Sequence, residues 1–112
     1  MQLGVDQQVT TFTESDFGRT FQPSSSGGTD HAWGSHHVVI GGAVRGGEIY
    51  GSFPELALGS DNDTDERGVW IPTTAIDQYG ATRASWFGLG ASDLSTVFPD
   101  LANFTQTNLG FV

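Results

Sequence analysis

All three histidines of the chain fall within seven positions, in Asp30-His31-Ala-Trp33-Gly-Ser-His36-His37. Cysteine is absent, so a metal site here draws on imidazole and carboxylate donors, the set that Zn²⁺ takes when no thiolate is present. Adjacent Asp30 and His31 can serve neighbouring coordination positions from one loop, with His36 as a further imidazole. If His37 opens a strand, His36 and His37 face opposite ways, so at most one of them joins His31. A second cluster, Asp16-Phe-Gly-Arg19, follows a strand-like run. A carboxylate at a strand end is a metal donor, and Arg19 can hold an oxyanion through two N–H groups. Each cluster also has a plainer reading: a surface ion pair for the second, and hydrogen-bonded histidines around a Trp33 plug for the first. A third cluster, Asp61-Asn-Asp63-Thr-Asp65-Glu66, begins like a calcium loop. It lacks the turn glycine and has Pro72 where the bidentate glutamate belongs, so a solvated loop is expected.

The elements that must position these residues are short. Gln8 to Thr13 is rich in β-branched and aromatic residues and reads as a strand running into a polar loop. Gln22-Pro-Ser-Ser-Ser-Gly-Gly28 is a turn-rich connection. His37 to Val44 is a continuous apolar run, the pattern of a strand buried on both faces, and Glu48 to Gly51 reads as an edge strand after a Gly46-Gly47 turn. Thr74-Ala-Ile-Asp77 predicts a helix start with Thr74 as N-cap, and the helix runs over 75–87. Its apolar stripe is Ile76, Tyr79, Trp86 and Phe87, with Arg83 where a leucine fits better. A second short helix is capped by Ser92 and stopped by Pro99, after which Leu101, Phe104, Leu109 and Phe111 anchor a tail. The fold class expected is α/β: a small, mostly buried sheet, two C-terminal helices and long Gly-rich loops.

Composition narrows the function. With 112 residues there is room for one core, and 16 glycines argue against an all-helical chain. Four arginines and no lysine stand against 13 carboxylates, giving a net charge of −9 and no cationic cluster, which excludes nucleic-acid binding. No apolar run is long enough to insert into a membrane, and Met1 to Asp6 carries no export signal. The paired glycines at 41–42 and 46–47 are not a phosphate loop, because no lysine follows them.

Asp16-Phe-Gly-Arg-Thr20, Gly28-Thr-Asp-His-Ala-Trp-Gly34, Gly41 to Gly47 with Tyr50-Gly51, Ile71-Pro-Thr-Thr74, Asp77-Gln-Tyr79 and Trp86-Phe-Gly88 occur in that order. From Val9 to Val112 the chain resembles the C-terminal part of a bacterial family, domain-of-unknown-function family fifteen-oh-one. Its full-length members are exported by the twin-arginine route and grouped with the alkaline phosphatase and sulfatase superfamily. The resemblance implies that residues 1–112 are one C-terminal segment of a larger, periplasmic, alkaline-phosphatase-like domain. A divalent metal, Zn²⁺ first and Mn²⁺ or Ca²⁺ as alternatives, would be held by Asp16, Asp30, His31 and His36, with Arg19 on a small anionic ester. The nucleophilic Ser or Thr and further ligands lie in the N-terminal half of such a domain, which this chain lacks, so the segment alone is expected to be inert. Asp16, Asp30 and His31 are expected within about 4–6 Å of one another, the reach of one shared ion. The run Val38 to Val44 is expected to leave an apolar side and an open edge when its partner strands are missing. Phe17 stands where the superfamily has a second ligand, a histidine. That departure supports the alternative reading, a non-catalytic exported binding or surface protein with a decayed metal site.

Overall fold

The β-branched and apolar runs form short strands in the computed structural model, which describes residues 3–112. They are β1 (Thr10–Phe12), β2 (Gly18–Arg19), β3 (His31–Ala32) and β4 (Val39–Gly41). β1 pairs with β4, and β2 pairs antiparallel with β3, so the chain is mixed α/β with two separate two-stranded ribbons. This corrects the expected single buried sheet. Val38 and Ile40 are 56% and 65% exposed, so the run from His37 to Val44 is not covered on both faces. Burial on both faces needs layers above and below a strand, and a two-stranded ribbon supplies none. Close backbone approach replaces side-chain packing here, since a β-carbon on Gly41 would lie 2.6 Å from the Val9 carbonyl oxygen. Glu48 to Gly51 is irregular rather than a strand.

The chain divides into two compact units. The first comprises Met1–Thr11, Val39–Gly51 and Thr74–Val112. Its scaffold is α1 (Ile76–Phe87), followed by α2 (Leu94–Val97) and a 3₁₀ helix over Pro99–Asn103. The start of α1 lies one residue beyond the expected one: Ala75 is the N-cap, and Gln78 Oε1 accepts the Ala75 N–H at 2.9 Å. The longer glutamine three residues on reaches back where the Asp77 carboxylate does not, so Gln78 rather than Thr74 closes the first turn. At the other end Gly88, with φ 116°, donates to Ala84 and Ser85 carbonyls and stops the helix as expected.

The buried side of α1 also differs from the expected stripe. Gln78 to Thr82 are buried, whereas Ile76 and Phe87 are 50% and 88% exposed. Small and polar residues win that side because the neighbours come close: a β-carbon on Gly80 would lie 2.6 Å from the Phe98 ring. Arg83 is accounted for by its guanidinium lying 4.1 Å from the Tyr79 ring centre, a cation–π contact that an aliphatic residue could not make. Asp93, not Ser92, is the N-cap of α2, and Pro99 opens the 3₁₀ helix as it ends α2. The tail anchors hold: Leu101 and Phe111 are buried, Phe104 and Leu109 half-buried. Phe111 meets Tyr79 and Tyr50 rings at 5.7 and 5.8 Å. Among the described residues no helix is long and apolar enough to cross a membrane.

Candidate functional site

The expected chemistry falls in the second unit, Phe12–Val38 with Ser52–Thr73. Residues alternate along β2: Gly18 and Thr20 are buried, Phe17 and Arg19 exposed. Gly18 donates to the Trp33 carbonyl at 3.0 Å and Thr20 to that of Asp30 at 2.9 Å, while the Thr20 hydroxyl accepts the Asp30 N–H at 3.1 Å. The register sets Arg19 directly opposite His31, both exposed. Arg19 is held by Thr29, its Nε donating to the hydroxyl at 2.9 Å and its Nη2 to the carbonyl.

Residues 67–70 run beside this ribbon. Gln22 donates to the Arg67 carbonyl at 2.9 Å, Phe21 to that of Gly68 at 3.3 Å, and Gly34 to that of Trp70 at 2.8 Å. Arg67 Nη2 meets Asp30 Oδ2 at 2.6 Å. That hydrogen bond raises the Arg67 pKa; burial opposes it, and the charges of Asp30 and Asp65 add to it.

The acidic loop is ordered around one carboxylate. Asp63 accepts backbone N–H groups on both oxygens, from Gly59 and Gly68 at 3.1 and 2.9 Å, and from Val69 and Asp65 at 3.0 and 3.4 Å. A carboxylate so occupied is a loop organiser. Burial pushes its pKa up, but the amides of Gly68, Gly59, Val69 and Asp65 outweigh that, and it lies below the ordinary 3.8. The sequence signal was the glycine on either side, Gly59 and Gly68, which free backbone to converge on one oxygen. Because the native pKa is depressed, the ordering is fully present above pH 3.8 and is lost as pH falls through the lower native value. Protection of the Gly68 and Val69 amides against hydrogen exchange, taken relative to their intrinsic rates, should therefore be lost only in acid. In Asp63→Asn that acid step should vanish; an unchanged step would mean another group controls the loop.

The profile of the family described as "Protein of unknown function (DUF1501)" matches residues 1–68, more than half of the chain. The chain belongs to that family. The match takes in the Asp16–Thr20, Gly28–Gly34 and Gly41–Gly51 motifs; Ile71–Thr74, Asp77–Tyr79 and Trp86–Gly88 lie beyond it. Neither a curated protein nor a solved structure matches the chain.

The metal that the resemblance implied for a DUF1501 chain can be tested against these residues. Among the described residues no three His, Asp or Glu side chains come together as a metal-holding group. Asp30 is engaged by Arg67, His36 stacks on the Phe53 ring at 4.6 Å, and Asp16 lies exposed in the bend before β2. His31 is paired with Arg19 at the end of the ladder, and Asp30 lies just outside it, with its N–H on the Thr20 hydroxyl. The expected ligands of this DUF1501 chain are not gathered into one group among the described residues. What they bring together is Arg19 and His31.

Proposed function

We propose that this chain is the C-terminal lobe of an exported, alkaline-phosphatase-like hydrolase of phosphate or sulfate esters. It supplies scaffold and a polar rim, Arg19 opposite His31, rather than a reaction centre. One observation carries the reading. Among the described residues eighteen large hydrophobic side chains are exposed, from Leu3 to Val97, against five buried hydrophobic residues, Trp70, Tyr79, Ala81, Leu101 and Phe111. Scattered exposed apolar residues are ordinary, but a set that outnumbers the core is what a lobe shows when the protein that covers it is elsewhere. In this reading any divalent metal, Zn²⁺ first, takes most of its donors from outside these residues. Export and the ester substrate come from the resemblance to the alkaline phosphatase superfamily, with Arg19 as the group suited to an anionic ester.

A second reading, a non-catalytic exported binding or surface protein, is favoured by the capture of Asp30 by Arg67 and by Phe17 in place of a histidine. The 112-residue chain alone should bind a hydrophobic dye, self-associate and turn over neither aryl phosphates nor aryl sulfates. A sharp monomer that binds no dye would sink the lobe reading. Metal content of a full-length protein carrying this segment separates the two readings: stoichiometric Zn²⁺ or Mn²⁺ with turnover supports the hydrolase, and a metal-free inert protein the alternative.

A further inference from the structure

We infer that Asp30 is the anchor of a structural ion pair with Arg67, which sets the Arg19–His31 rim, and is not a metal donor. The inference goes beyond the lobe reading and stands or falls separately from it. Both ends of the pair are fixed by backbone before the side chains meet. Asp30 is clamped at its N–H by the Thr20 hydroxyl and at its carbonyl by the Thr20 N–H. Arg67 is held at its N–H by Asp65 Oδ1 at 3.0 Å and at its carbonyl by Gln22. Its neighbours Gly68 and Val69 are fixed in turn by Asp63. An exposed ion pair usually gains little because two long side chains must be ordered to form it. Here the backbone has already done much of that ordering, and the contact at 2.6 Å is short even for a charge-assisted bond.

The consequence for Asp30 and His31 is directional. The Asp30 carboxylate is drawn to Arg67, while His31, the next residue, is paired across the ribbon with Arg19. For Asp30 to join His31 on a single ion, its ion pair with Arg67 would have to break. Asp30 is thus a positioning residue for the rim, acting through the course of β3.

The test uses the full chain and reads no activity. Asp30→Asn and Arg67→Gln should each lower the unfolding midpoint and broaden the His31 imidazole signals in NMR spectra. The exchanged pair, Asp30→Arg with Arg67→Asp, should restore both. Zn²⁺ affinity by calorimetry should be the same in wild type and Asp30→Asn. A loss of about tenfold or more in Zn²⁺ affinity on Asp30→Asn, the scale expected for disturbing a metal site, would overturn the inference while leaving the hydrolase reading intact. Strictly additive effects of the two substitutions, with no recovery in the exchanged pair, would overturn it as well.

Discussion

Gly68→Ala should destabilise the second unit by about 2–5 kcal/mol, combining about 1–2 for a left-handed backbone and about 1–3 for overpacking. Gly68 has φ 80°, a conformation that costs an L-residue strain. A β-carbon there would also overlap that of Phe21 and lie 2.9 Å from the Phe21 nitrogen. The clash strikes three contacts at once: the Phe21 N–H bond to the Gly68 carbonyl, the Gly68 N–H bond to Asp63, and the edge contact of Phe21 with Trp70 at 5.9 Å. Gly59→Ala is the built-in control. Gly59 has φ 75° but its nearest neighbour is 3.9 Å away, so it should show the strain alone. Denaturant unfolding followed by Trp fluorescence measures both; equal losses would mean that the Phe21 contact carries no weight.

Thr82→Val should cost about 1–3 kcal/mol, the penalty of leaving a buried donor unsatisfied. Thr82 is 0% exposed, and valine nearly matches its shape, so volume hardly changes. What goes is the hydroxyl, which donates to the Gln78 carbonyl at 2.7 Å and accepts the Leu109 N–H at 2.8 Å. The tail is the part released; Gln78 Nε2 on the Gln106 carbonyl at 2.6 Å is a further polar tie between the tail and α1. Hydrogen exchange should quicken at Leu109 more than within α1, and Thr82→Ser should retain protection. If Thr82→Val and Thr82→Ser behave alike, the hydroxyl is not what fastens the tail.

The helices were legible because their signals are local. Gly88 stops α1 where expected, and Pro99 ends α2. The N-cap was misplaced by one residue because Thr74 and Asp77 looked like a box, while Gln78 has the longer reach. Burial of Val38 to Val44 was not legible: an apolar run records affinity for cover, and whether layers exist to supply it is a property of the whole fold. For the site, residue types were legible and their gathering was not. Arg67, the partner of Asp30, is 37 residues away, beyond any local pattern. The separation of His36 from His37 was expected if His37 opened a strand, and the strand opens at Val39 instead. Asp63 was hidden for the opposite reason: among Asp61, Asp65 and Glu66 it looks like one more solvated charge, and its one signal, the flanking Gly59 and Gly68, lies at the edges of the cluster.

The small buried apolar set has a calorimetric consequence. Unfolding raises heat capacity by hydrating apolar surface, typically about 12–15 cal/mol/K per residue. A chain with eighteen large apolar side chains exposed among its described residues has less to hydrate, so its increment falls below that range. Its stability curve is correspondingly broad and shallow, and the denaturant slope is low for its length. Covering those side chains with a second protein surface would do the reverse, steepening both and turning a faint thermogram into a sharp one.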